Sequence, residues 1–496
     1  MHSVDYVVFA AYLIGSLGLG LAFARRQRGE GEFFVAGRSM RWVPIGLSVM
    51  VTAFSAMNYV AFPGEVSRHG LYVLLCLPVF VLVAFPVTRV IMPYYHGLGL
   101  TSAYEVLERR FDVRVRCLAS GLFIVWRLLW MAVALFVPSK VLSLMLGWDL
   151  WVVVAVAGAV AAAYTAAGGM RAVIWTDVAQ FVVLVGGLVV ALAVAAARVD
   201  GGLAGIVRAG AEGGVLKPFH PFDPQVLSPD PTVRISLWSC LVGTFVAFLA
   251  RYGADQVVVQ RYFAARSLRD AQRGFWLNVA AALVALSGLA LLGLAMRAGV
   301  GATGGKVAGG PLGGFAAFVA SMPAGVCGLL VAGLFAASMS SVDSGINSCS
   351  AAYETDFHRR LFARGGHREG SVGRSRVLAV VFGAVATVGA CTVPHWGPSI
   401  FVIANRVIHG LGGPLLAIFV LAMFSRRANG VGVFAGGVLG ALGSVWVSFG
   451  VKGLALHYYV VTNLVGTMVL CWVLSFLAGR PSPEQLAWTW RGRRAG

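Results

Sequence analysis

About thirteen separate stretches of this chain are long and apolar enough to cross a bilayer as helix, and that repetition decides what it can fold into. Roughly 20 apolar residues span a ~30 Å hydrocarbon layer. Inside it every backbone amide must find its partner within the chain, which leaves helices as the only form such runs can take. They read as helices over 5–24, 42–66, 71–96, 116–146, 149–168, 171–197, 234–262, 274–297, 323–353, 375–394, 397–424, 430–450 and 457–478. Hydrophobic residues make up 58% of the 496, and only 12% are charged. A soluble chain carries about a quarter charged residues, so a large water-soluble core is excluded. The expectation is one all-α transmembrane domain.

A net charge of +19 invites a nucleic-acid reading, and position removes it. Of the 39 Lys and Arg, 26 fall in one alternate set of loops: Arg25 to Arg41, Arg109 to Arg116, Arg171, Arg261 to Arg273, Arg359 to Arg376, Arg426 with Arg427, and the tail from Arg480. The other set, from Arg68 to Lys452, holds eight. Basic loops stay in the cytoplasm, so the pattern predicts a multi-pass protein of the cell membrane with its N-terminus outside and its C-terminus inside. An odd number of spans from an outside N-terminus likewise puts the C-terminus inside. The first run, Tyr6 to Phe23, lacks a basic leader and is followed by Arg25, Arg26 and Arg28, as an uncleaved helix would be.

The seven cysteines lie in apolar segments and read as small hydrophobes, without a disulfide framework or metal spacing. The stretch 198–233 is rich in Gly, Pro and Asp and reads as an external cap, and Phe315 to Val319 reads as a short surface helix.

Two spans carry polar residues where a passive helix would be apolar. Leu47 to Asn58 contains Ser48, Thr52, Ser55 and Asn58 between Pro44 and Pro63, and Ala250-Arg-Tyr-Gly-Ala-Asp-Gln256 puts a glycine and two charges at mid-depth. A helix interrupted there frees backbone carbonyls, which survive only beside protein or a water-filled cavity. Paired interruptions about 200 residues apart point to the binding site of an inverted-repeat transporter.

A third span, Ala336 to Ser348, places Ser340, Ser341, Asp343, Ser344, Asn347 and Ser348 within three turns. Spacings of three and four put Ser340, Ser344 and Asn347 on one stripe and Ser341, Ser344 and Ser348 on another. Hydroxyls and free carbonyls suit a hard cation such as sodium. Serines also pack helices together in membranes, but an intramembrane aspartate among them is a functional signal.

These blocks resemble the sodium:solute symporter family. Tyr164-Thr-Ala-Ala-Gly-Gly-Met-Arg-Ala-Val-Ile-Trp-Thr-Asp-Val-Ala-Gln180 is similar to its signature, and Gly37-Arg-Ser39, Asp255 to Tyr262, Gly412 to Leu415 and Ala336 to Ser348 are similar to further blocks. The resemblance implies a leucine-transporter-like fold. It would have a peripheral helix at 5–24, inverted five-helix repeats at 42–197 and 234–424, peripheral helices at 430–478 and a cytoplasmic tail at 479–496. It implies sodium-coupled import of a small organic solute, such as a carboxylate or a sugar-like compound, by alternating access, with sodium as coupling ion and no cofactor or obligate protein partner; the alternatives are a proton-coupled symporter of the same fold and a channel. The main sodium ligands it implies are the carbonyls of Val51, Phe54 and Ala337 and the hydroxyls of Ser340 and Ser341. A second cation site would join Asp177 to Asp343 and Ser344. There a carboxylate replaces one expected hydroxyl, which leaves sodium and a proton as alternatives. Val49 to Gly70, Asp149-Leu-Trp151 and the signature resemble the monocarboxylate, multivitamin and iodide branch most. At Ala53 the proline branch has an acidic residue and the sugar branch an asparagine.

Arg127, Lys140, Arg251 and Arg406 fall inside helices, where a charge must be paired or face water. Lys140 and Arg406 lie near helix ends and read as snorkelling. Arg127 and Arg251 are candidate contacts for an anionic substrate, together with Ser55, Asn58 and Asp255; Asp177 and Asp255 are rival partners for the two arginines. A channel would need a repeated filter. An enzyme would need a histidine beside Ser340 or Ser341, or a metal-binding spacing, and a sensor would need an added signalling domain. None appears.

Overall fold

The structure is a computed structural model that describes residues 1–24, 30–212, 216, 220, 222–298, 310–362, 372–397, 400–451 and 453–495. Arg25, Arg26 and Arg28, Lys217, Lys306, Arg364, Arg368 and Lys452, all used in the charge argument, lie outside them. Among the described residues the molecule is helical throughout. The elements that matter here are α1 (Ser3–Ala24), α2 (Trp42–Ala53), α3 (Ala56–His69), α4 (Leu71–Tyr95), α5 (Val113–Leu146), α6 (Leu150–Ala197), α7 (Ser239–Gly253), α8 (Gln256–Ala264) and α9 (Leu268–Arg297). They continue with α10 (Gly310–Ala320), α11 (Val326–Ala352), α12 (Val372–Thr392), α13 (Ile400–Phe424), α14 (Gly430–Gly450) and α15 (Tyr459–Leu474), followed by two short helices, α16 (Pro483–Ala487) and α17 (Trp490–Ala495).

By length and apolarity ten helices of the described residues qualify as spans, or eleven when α2 and α3 are taken together. Thirteen is reached only by dividing α6 and by taking α7 with α8 as one span. The 48 residues of α6 would run about 72 Å as a straight helix, more than twice the hydrocarbon thickness. The chain turns inside it at Gly169, whose φ of 57° and ψ of −169° leave the helical region; that backbone suits a residue without Cβ.

Both expected interruptions are present. α2 and α3 meet at a 61° bend, where Ser55 caps α3 by accepting from the Met57 amide at 3.2 Å. α7 stops at Gly253 and α8 starts after Asp255, whose carboxylate accepts from the Val257 amide at 3.0 Å. α11 is the axis of the bundle: every residue from Leu330 to Ala352 is buried. It packs against α1, α5, α6 and α12, and the bends of α2–α3 and α7–α8 face it.

The 30-residue α9 braces the first bend on both sides. A Cβ on Gly274 would lie 2.8 Å from the Trp42 carbonyl oxygen, and one on Gly293 would lie 2.7 Å from that of Pro63. Two glycines thus let α9 sit directly on the backbones of α2 and α3. The Phe315 to Val319 run corrects its expected surface position. It lies within α10 with Phe315, Phe318 and Val319 buried, the Phe315 ring edge-on to Tyr59 at 6.0 Å. At the opposite end of the bundle the tail folds back. Tyr94 Oη donates to the Trp488 carbonyl at 2.8 Å, and Arg493 donates to the Tyr94 carbonyl.

Candidate functional site

α2 ends in mid-bundle, so its last carbonyls lose their helical partners. α11 supplies replacements. Ser340 Oγ donates to the Val51 carbonyl at 3.0 Å and lies 3.1 Å from the Ala337 oxygen. Ser341 Oγ donates to the Thr52 carbonyl at 3.2 Å and lies 3.5 Å from the same Ala337 oxygen. Five oxygens, three carbonyl and two hydroxyl, therefore gather in a fully buried place. Four of the five expected residues are brought together. Phe54 joins at the same bend through its amide, which donates to the Met50 and Val51 carbonyls, and the Thr52 carbonyl is a further oxygen that Ser341 meets.

One turn along α11 the environment changes. Asp177 Oδ2 accepts from Ser48 Oγ at 2.5 Å, from Thr52 Oγ1 at 3.3 Å and from the Arg261 guanidinium at 2.8 Å. Arg261 is completely buried. It also donates to Ser48 Oγ at 2.7 Å, Thr52 Oγ1 at 2.7 Å, Ser344 Oγ at 2.6 Å and the Val257 carbonyl at 2.6 Å. Asp343, expected to share a second cation site with Asp177, accepts from Tyr164 Oη at 2.9 Å and from the Ser344 amide at 2.6 Å. The cation held by Asp177 is a guanidinium. Arg261, assigned from sequence to a cytoplasmic loop, is the functional residue that assignment missed. Its signal was its place on a helix of buried valines, four residues after Val257.

A further turn along, Ser348 Oγ donates to Gln260 Oε1 at 2.6 Å, and Gln260 Nε2 donates to Asn347 Oδ1 at 3.0 Å and to the Phe34 carbonyl at 2.6 Å. The polar ladder of α11 thus serves three partners at three depths: the end of α2, then Arg261, then Gln260. The freed carbonyls of the second bend are taken as well, Gly253 by Tyr95 Oη at 3.0 Å and Ala254 by Tyr104 Oη at 3.2 Å.

A cavity runs from the bend of α2–α3 toward the end of the bundle bearing Cys76. Its walls are mostly apolar and aromatic, with Phe80, Trp130, Phe248 and Tyr252 prominent, and Asn58 and Arg251 supply polarity near the bend. Arg251 donates to the Ala53 carbonyl at 2.7 Å and lies over the Trp130 ring at 5.6 Å. It takes part in none of the ion pairs found among the described residues. Arg127 behaves differently: it is paired with Asp255 away from the cavity, so the rival partner prevails. Ser55 is buried in its capping role. At the far end His457 lines the cavity. Arg406 lies over the Phe449 ring at 5.6 Å.

Comparison with known proteins decides what this architecture is. The family model described as "Sodium:solute symporter family" matches residues 33–440. The chain belongs to the sodium:solute symporter family. It is 34% identical over 459 residues to a sodium-dependent multivitamin transporter of Oryctolagus cuniculus, an alignment that covers 90% of this chain and 70% of the relative. It is 32% identical to a sodium-coupled monocarboxylate transporter 2 of Bos taurus, covering 90% and 72% of the two chains. A sodium/iodide cotransporter of Homo sapiens is 31% identical, covering 90% and 70%. The solved structure of a sodium-coupled sialic acid symporter in a substrate-bound outward-open state superposes with a TM-score of 0.88 at 24% identity, covering 97% of this chain and 99% of that one. A nucleobase-cation-symport-1 family transporter gives 0.58 at 12% identity, covering 92% and 97%. The leucine-transporter-like fold expected from sequence is therefore present. The symporter is a multi-pass membrane protein that couples sodium to the movement of a small solute, and its relatives are transporters rather than enzymes.

Proposed function

We propose that this symporter carries a small organic anion into the cell, driven by a sodium ion bound between the end of α2 and the middle of α11. The ligands are the carbonyls of Val51, Thr52 and Ala337 and the hydroxyls of Ser340 and Ser341. The observation that carries this reading is the pair of serine hydroxyls directed at two carbonyls in the last turn of α2. In that state each group satisfies another, so nothing buried is left unpaired. A hydroxyl can rotate its proton away and present a lone pair, and a sodium ion then replaces two hydrogen bonds with five oxygen contacts. The basic loops orient the chain in the cell membrane with its N-terminus outside and its C-terminus in the cytoplasm, and the cavity then opens outward.

Sodium-driven uptake in proteoliposomes tests the ion site. Ser340→Ala and Ser341→Ala each remove one oxygen and little volume. Each is expected to raise the sodium concentration for half-maximal uptake about tenfold or more, because an interaction with a charged group contributes roughly 1.5–3 kcal/mol. Insertion into the membrane should be unaffected. An unchanged sodium dependence in either variant would remove that hydroxyl from the site.

Arg251 supports the anion. It is a cation on the wall of a mostly apolar cavity, in none of the ion pairs found among the described residues, and relatives of this chain carry names of anionic solutes, iodide and monocarboxylates. Arg251→Gln keeps a donor near Ala53 and removes the charge. It is expected to weaken uptake of a monocarboxylate at least about tenfold while changing competition by the corresponding neutral amide far less. Equal losses for acid and amide would make Arg251 a structural residue.

A further inference from the structure

Three residues far apart in sequence meet at the end of the cavity away from the sodium ligands. Cys76 ends the turn that opens α4, Cys240 lies in the first turn of α7, and His457 sits in the turn before α15. The two Sγ atoms are 2.8 Å apart, and a ligand atom from each of the three residues lies within 4.8 Å of the other two. Thr244 Oγ1 stands 3.4 Å from both Cys76 Sγ and His457 Nδ1. Cys76, Thr244 and His457 all line the cavity. Spacing along the chain had given no metal pattern; the fold assembles one.

We propose that Cys76, Cys240 and His457 form a binding site for a soft or borderline d10 metal ion, of which Zn2+ is the natural representative, with the fourth position open to the cavity. Two thiolates and one neutral imidazole match a catalytic-type zinc ligand set of three protein groups plus one exchangeable ligand. The hard sodium ion does not compete for sulfur ligands. Binding displaces the two thiol protons to solvent, and the two thiolates balance the charge of a divalent ion. At Zn–S distances of about 2.3 Å tetrahedral geometry separates the sulfurs by about 3.8 Å, so the thiols need only part by roughly 1 Å. The metal joins α4, α7 and the segment before α15. It therefore ties α4 to the broken helix α7–α8 and to the chain before α15 at the outer end of the cavity, and an occupied site holds transport in one state.

The test uses tag-free, full-length protein and Cd2+ as probe. One equivalent of Cd2+ should produce a thiolate-to-cadmium charge-transfer band, and Zn2+ should abolish it by competition. Cys76→Ser and Cys240→Ser, which preserve side-chain volume, should each lose most of the band. His457→Ala should weaken binding at least about tenfold, since even partners outside the ligand set cost 10–100-fold in affinity. In proteoliposomes Zn2+ should lower sodium-driven uptake by wild-type protein, with recovery on chelation, and this ratio should approach one in the Cys76→Ser/Cys240→Ser double variant. A band that persists in the double variant would place the metal at other cysteines and overturn the proposal. So would a wild-type protein in which these two thiols become titratable only after a reductant is added, since the pair would then be a disulfide.

Discussion

Ser340 and Ser341 face the end carbonyls of α2, whereas Ser344, one turn further along the same helix, faces a guanidinium. The upper layer holds five oxygens and no fixed charge. The lower layer holds a buried ion pair, Arg261 with Asp177 Oδ2, surrounded by the hydroxyls of Ser48, Thr52 and Ser344, while Asp177 Oδ1 accepts no hydrogen bond among the described residues. Both are buried and both carry serines, yet the upper one holds no cation of its own while the lower one already holds a guanidinium. A second sodium in the lower layer would have to displace a guanidinium that makes five hydrogen bonds to its surroundings. Hydroxyl content alone does not distinguish an ion site from a structural clamp; whether the local charge is already balanced does.

The largest effect should come from breaking that balance. Arg261→Met leaves Asp177 buried without its counter-charge, and removing one partner of a buried pair costs about 3–5 kcal/mol. The variant should lose most of its folded, monodisperse fraction in detergent, while Arg261→Met with Asp177→Asn should regain much of it. If the single variant unfolds no earlier than wild type, the lower layer is not a clamp. Ser344→Ala removes one of several acceptors around Arg261 and should lower stability by only about 1 kcal/mol. It should leave the sodium concentration for half-maximal uptake unmoved, in contrast to Ser340→Ala. A shift as large as that of Ser340→Ala would merge the two layers into one site. The smallest effect is expected from Asp343→Asn, where the amide oxygen still accepts from Tyr164. Neither the Hill coefficient for sodium nor the pH profile of uptake should change. A coefficient that falls toward one would reveal a second sodium at Asp343, and a flattened pH profile would reveal a proton there.

The two bends and the upper layer were legible because they break a local rule: glycine, charge and hydroxyls where a passive span would be apolar. Ser340 and Ser341 stood out in the chain itself, whereas Val51 and Ala337 came only from the family resemblance. Thr52 could be named from neither, since which carbonyl a hydroxyl meets depends on the turn at which α2 ends. Arg261 was hidden for the opposite reason. It obeys a local rule, standing just before Arg266, Arg269 and Arg273 as the first basic residue of an inward loop, and its acid, Asp177, lies 84 residues away. Arg127 and Asp255, 128 residues apart, were foreseen only as rivals to a substrate. The burial of Phe315 and Phe318 was equally invisible, because an apolar run does not say whether lipid or protein covers it.

The glycine seats on α9 bear on how such a machine moves. Gly274 holds the segment before the bend and Gly293 the segment after it, both on one uninterrupted rod. The 61° angle is therefore clamped from outside, and the unwound residues between α2 and α3 are not free to act as a hinge. Rocking in the membrane should carry α2, α3 and α9 as a single rigid lever. The sodium ligands of α2 would then part from those of α11 all at once, not one by one.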